Sequence, residues 1–264
     1  MYKNIGFFFL ILLVFVVLGF YYPYFSLFPD FKSVTVIVHF HAIILMIWVI
    51  ILIVQPILIR YQKYKAHRFL GRFTYFLLPL VIISSIGVIR QQYYESIEQK
   101  MTSLQSLKLV FTSVAGIFSI LIYYSFAIIN ILKGNVALHI RYMICLFLQF
   151  IPPTFGRTLG YWFGIRQFYT YNISILLSAL ILVLLILADK RRKLNFTPYV
   201  VALSLYLIVN GIWYALGHPI WIKEESHHSL TLFQLSFRTA WVQFEAFPFF
   251  IDWIVFNLEC LIWI

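Results

Sequence analysis

The stretch HFHAIILMIWVIILIVQPILIR, residues 39–60, decides the fold. From Ala42 to Val54 it holds no charged or strongly polar side chain. A helix rising about 1.5 Å per residue crosses the roughly 30 Å hydrocarbon core of a bilayer in about 20 residues. Alternation of apolar and polar residues, the mark of a barrel strand, is absent. Backbone groups in lipid need internal partners, so the run predicts a membrane-spanning helix. A basic turn follows, and then HRFLGR at residues 67–72 opens a second apolar run. A related element, HIRYM at residues 139–143, opens a third.

Composition extends this reading to the whole chain. Of 264 residues, 62% are hydrophobic and 11% charged. Water-soluble domains are roughly 45–50% apolar and about 25% charged. Lipid is therefore the solvent, and the bilayer the first partner. The formal charge of +11 sits in short clusters between apolar runs. Such clusters orient helices against the membrane, and the pattern excludes nucleic acid as a partner. Cys145 and Cys260 each lie inside an apolar segment, so they form no disulfide framework and no CxxC motif.

Seven spans are expected: residues 6–20, 34–59, 69–89, 107–132, a broken segment from His139 through Pro152-Pro153, 171–188 and 198–216. Tyr21-Tyr22-Pro23-Tyr24 offers no small-residue cleavage site, so the first span is read as retained. Residues 90–106 read as a polar connection. The expected architecture is an all-α polytopic transmembrane bundle over residues 1–217, with a tail from 218 to 264. In that tail Glu245, Asp252 and Glu259 recur every seven residues, along one helix face. Residues 244–264 are either an amphipathic interfacial helix or an eighth span with its carboxylates turned inward.

The basic residues set an expected orientation. With the N-terminus inside, the inner connections hold Lys3, Arg60, Lys63, Lys65, Arg68, Arg72, Lys133, Arg141 and residues 190–193, twelve in all. The outer ones hold six: Lys32, Arg90, Lys100, Lys108, Arg157 and Arg166. The excess predicts a cytoplasmic N-terminus.

Ionisable and amide side chains are costly inside a bilayer, so they are the candidate functional groups. His41, Trp48 and Gln55 fall at i, i+7 and i+14 and share one helix face. His39 projects to the other side, toward the interface. His67, Gly71, Thr74 and Ser85 form a small or polar face on the next span, and Thr112, Gly116 and Ser119 another. Such faces allow close helix packing, and leave room for a flat cofactor. In the expected topology His67 and His139 lie at one edge of the membrane, with His41 and His218 at the other. A b-type haem takes two neutral imidazoles from different helices at matching depth. Arg68, Arg72 and Arg141 are placed to meet its propionates at the inner edge, and Arg157 at the outer. His39-x-His41 offers too few ligands for zinc. Histidine and arginine at helix starts also serve as interfacial anchors or proton relays, which is the alternative reading. Phosphate-binding glycine loops, GxSxG elbows and HExxH are absent from the sequence.

His41, HRFLGR followed by Phe73-Thr74-Tyr75, and HIRYM together resemble a family of bacterial polytopic membrane proteins of uncharacterised activity. Its members carry a histidine, then HRxxGR, then HxRxM in that order. The resemblance covers about residues 34–157 and implies the fold and an inner (plasma) membrane location. A more distant likeness is to bis-histidine membrane cytochromes b and haem A synthases, in which such a histidine opens a haem-binding helix. This chain departs from them, because its fourth span has no histidine and a symmetric two-haem bundle cannot be completed. The expectation that follows is haem b on His67 and His139, with His41 a further candidate and a redox or membrane-protein partner. The alternative is a transporter subunit or assembly scaffold.

Overall fold

The structure is a computed structural model describing residues 5–216. His218 and the tail carboxylates Glu245, Asp252 and Glu259 lie outside the described residues. Eight α-helices follow one another: α1 (Ile5–Tyr21), α2 (Val36–Arg60), α3 (Tyr64–Glu98), α4 (Ser103–Leu132), α5 (Val136–Leu148), α6 (Ile151–Phe163), α7 (Gln167–Arg191) and α8 (Thr197–Ala215). Helices α5 and α6 together make one span, Val136–Phe163, and among the described residues six spans are long and apolar enough to cross a bilayer. Helix α1 is a shorter apolar helix beside them. Ile43, Ile47 and Ile50 on α2 are exposed, as are Leu176, Leu180, Leu184 and Leu187 on α7. Large apolar side chains at helical spacing on the outer surface are what a lipid-facing stripe requires.

The third span departs from the sequence reading. Helix α3 does not stop at Ile89 but runs on to Glu98, and the connection shrinks to residues 99–102. Local chemistry accounts for the extra turns. Gln91 bonds Glu95 one turn ahead at 2.6 Å, and Ser96 bonds Ser106 across the turn at 2.8 Å. Thr102 and Gln105 then form a reciprocal capping box that starts α4. At 35 residues α3 is roughly 50 Å long, well beyond the hydrocarbon thickness. Its polar end and the start of α4 therefore form a helical hairpin that rises out of the membrane.

Helix α5 is the hub. From Ile144 to Leu148 every residue is buried, so the helix shows no lipid-facing side there. Around it the packing runs α2 to α3, α3 to α4, α4 to α8, α8 to α7, α7 to α6, α6 to α1, and α1 back to α2. Phe147 stacks on Phe9 of α1 at 4.1 Å, and Tyr142 on Phe126 of α4 at 5.2 Å. The Cys145 thiol meets the Pro198 carbonyl of α8 at 3.5 Å. The span breaks where the sequence predicts, since Pro152 and Pro153 form the first turn of α6 and have no amide hydrogen to donate.

Helix α1 is seated against α6 by a close backbone approach. A Cβ at Gly19 would collide with the Thr154 carbonyl, whereas one at Gly211 meets nothing within 4 Å. The Trp162 indole donates to the Leu18 carbonyl at 2.9 Å in the same seam. Gly19→Ala is expected to force the helices apart and cost about 1–3 kcal/mol. Gly211→Ala should be neutral or stabilise by up to about 1 kcal/mol. Thermal unfolding of the two variants in detergent, with Tm moving in opposite directions or only for Gly19, checks this.

Candidate cofactor site

Two of the sequence-selected histidines stand at the same end of the bundle, where α2 leads into α3 and α4 into α5. His67 stands in the first turn of α3 and His139 in the first turn of α5, within electrostatic range of each other. The His139 Nδ1 lies 2.9 Å from the Ala127 carbonyl of α4. A carbonyl only accepts, so Nδ1 carries the hydrogen and Nε2 keeps its lone pair. This is the orientation that second-shell bonds impose on metal-ligating imidazoles. The Nδ1 of His67 is buried without a hydrogen-bond partner. The backbone carbonyl of His67 accepts from Gln55 Nε2 of α2 at 3.2 Å, while Gln55 Oε1 has no partner.

A polar seam leads inward from this pair. Gly71 lies against the Gln55 amide, and the Thr74 hydroxyl bonds the Gly71 carbonyl at 2.5 Å and the Tyr124 hydroxyl at 2.8 Å. The Tyr124 ring packs at 5.9 Å from that of Trp48, whose indole N–H is buried and unpartnered. Trp48 and Gln55 thus turn from one face of α2 into the bundle. His41, from the same face, sits at the opposite end, its Nδ1 3.0 Å from Ser84 Oγ of α3. Arg157 of α6 lies within electrostatic range of His41 and holds its guanidinium 4.9 Å from the Phe20 ring centre. His39 turns away, bonded through Nδ1 to the Tyr24 hydroxyl at 2.9 Å in the α1–α2 connection. Burial holds the Tyr24 phenol above its ordinary pKa, so it stays protonated and donates to His39.

The cationic residues divide. Arg68 and Arg72 are exposed at the histidine end. The structure gives Arg141 another partner than the one the sequence suggested. It is buried, with Nε 2.5 Å from Asp189 Oδ2 at the end of α7 and Nη1 2.8 Å from the Ala137 carbonyl. A guanidinium moved out of water needs a fixed counter-charge, and the nearby carboxylate supplies it. The sequence reading missed Asp189 as a functional position. Its one signal was an acid heading the basic run Lys190-Arg191-Arg192-Lys193.

What this arrangement can hold follows from its donor count. Among the described residues no group of three or more His, Cys, Asp or Glu converges as a metal site. Two imidazoles suffice for a metal that brings its own equatorial ligands, and haem is such a group. The helices and their lipid-facing stripes define an all-α polytopic integral membrane protein. No family model, curated protein or solved structure matches the chain.

The ion pair makes a separable prediction. Arg141→Met leaves the Asp189 carboxylate buried alone and should cost about 3–5 kcal/mol. The double variant Arg141→Met/Asp189→Leu should recover most of that loss, because neither charge then remains. Denaturant titration of both in mixed micelles measures the difference.

Proposed function

We propose that this protein is a haem-b-binding, redox-associated protein of a bacterial inner membrane, with His67 and His139 as axial ligands. The observation that carries the reading is the presence of both imidazoles at one bundle end, within electrostatic range of each other. One is locked with Nε2 available, and the other has a buried ring nitrogen lacking a partner. The residues fit the group: neutral nitrogen donors on separate helices, and the flexible cations Arg68 and Arg72 on the exposed surface beside them for propionates. Arg141 is excluded from that duty by Asp189. When bound, haem supplies one-electron transfer. The chain's own part is to fix both rings, shield them from water with Gln55, Thr74 and Tyr124, and bring the site to one membrane surface. The twofold excess of basic residues supports placing that surface, and the N-terminus, on the cytoplasmic side.

A reduced-minus-oxidised visible spectrum of the detergent-solubilised chain, produced with haem available, tests the reading. A sharp α-band is expected, lost in His67→Ala and in His139→Ala and retained in His39→Ala. A colourless protein overturns the haem assignment and leaves the histidines to structural or proton-handling roles. Orientation has its own measurement. Single cysteines at Gln62 and Gln99, in a background lacking Cys145 and Cys260, should label from the inside and the outside of the cell respectively.

A further inference from the structure

Helix α7 runs out into four consecutive cations, Lys190, Arg191, Arg192 and Lys193, all of them exposed. The helix end is closed rather than frayed. Lys193 takes a φ of 55°, and the Leu194 amide donates back to the Asp189 carbonyl at 2.9 Å. The chain therefore presents the four charges on a fixed turn. Earlier along the same helix, Leu176, Leu180, Val183, Leu184 and Leu187 are exposed. At 3.6 residues per turn these five side chains fall within an arc of roughly 100°. Lys190 and Arg191 come at the two margins of that arc, one turn beyond Leu187. Asp189 falls on the opposite side, where it is buried and spent on Arg141 at 2.5 Å.

Among the described residues no acid is left for these cations. Besides Asp189 there are three, Asp30, Glu95 and Glu98. Asp30 pairs with Lys32 at 3.3 Å in the α1–α2 connection, and the two glutamates close α3. Both places are at the opposite end of the bundle. A helix C-terminus and a cytoplasmic membrane surface each favour cations, which accounts for the presence of the cluster. Neither supplies its counter-charge. The bilayer can, because a phosphate headgroup seated where the lipid-facing stripe ends meets Lys190 and Arg191, while its acyl chains lie along the leucines. Four positive charges in a row exceed what the single negative charge of one phosphodiester can match. We infer that this end of α7 is a binding site for an anionic phospholipid with two phosphates in its headgroup. The site is independent of the haem reading.

The test uses the full-length chain in an uncharged detergent, titrated with diphosphatidylglycerol and read by native mass spectrometry. One such lipid per chain should stay bound under conditions that strip phosphatidylcholine, and added salt should weaken the binding. Lys190→Gln/Arg191→Gln should lower the affinity by roughly tenfold, and adding Arg192→Gln and Lys193→Gln should abolish it. The four side chains are exposed, so the variants should keep the circular dichroism of the wild type. Lys63→Gln/Lys65→Gln removes two exposed cations from the α2–α3 turn at the same end and should leave binding unchanged. Equal retention of both lipids, or an equal loss in the Lys63/Lys65 variant, reduces the cluster to a general basic surface and overturns the site. Competition by inorganic phosphate at the same concentration gives the cations to a soluble anion and overturns it too. Binding that emerges only with Glu245→Gln, Asp252→Asn and Glu259→Gln together gives the patch to the tail and overturns the lipid assignment. A colourless protein that retains the lipid would sink the haem assignment alone, so the two failures are distinguishable.

Discussion

Hydrocarbon offers no hydrogen bonds, and that single constraint bears hardest on the middle of α5–α6. Two consecutive prolines there remove two amide donors just beyond the fully buried stretch Ile144–Leu148 of α5. The bundle answers with side chains from elsewhere in the chain. Tyr206 reaches across from α8 to the Leu148 carbonyl, and Gln149 and Gly116 fit together on the α4 side. The neighbours that meet this need are those that enclose α5, so the ring of helices and the break at its centre are parts of one solution. Elsewhere the helices run on, and Pro56 and Pro79 each remove a single backbone bond inside α2 and α3.

The two ends of the bundle differ in chemistry. At the α2–α3 end, His67 and His139 face inward beside amides and hydroxyls, with exposed arginines around them. At the other, His41 is bonded to Ser84 with Arg157 close by, and the aromatic rings of Tyr21, Tyr22, Tyr161 and Trp162 crowd together. Aromatic clustering at one level is what the membrane–water boundary favours, since such rings have both apolar bodies and polar tips. The polar seam from His67 through Thr74 and Tyr124 to Trp48 gives the interior a direction. It runs from one surface toward the middle, where the helix break lies.

Hydropathy was sufficient to read most of this architecture. Apolar runs mark every span because the free energy of placing a residue in lipid depends mainly on its own side chain. The Pro152-Pro153 break was legible for a similarly local reason. The far end of α3 was not, because residues 90–98 are polar and their helix is held by Gln91–Glu95 and by Ser96–Ser106, the second a contact across a turn. Motif spacing put His67 and His139 at helix starts, and both stand in first turns, of α3 and of α5. It had no means of assigning Arg141, whose partner is 48 residues away on α7. The unpartnered Gln149 Oε1 was likewise invisible. Burial without a hydrogen bond is a property of the packed bundle and of no residue taken alone.

The Arg141–Asp189 pair also imposes an order on biogenesis. Arginine 141 leaves the ribosome well before its counter-ion, with all of α6 and most of α7 still to be made. During that interval Arg141, in the second turn of the span, lies near the membrane surface and can reach water with its long side chain. Its burial as an ion pair is complete only when the end of α7 brings Asp189. The innermost element of the bundle is in this sense among the last to be fixed, closed over by helices that the chain has already laid down.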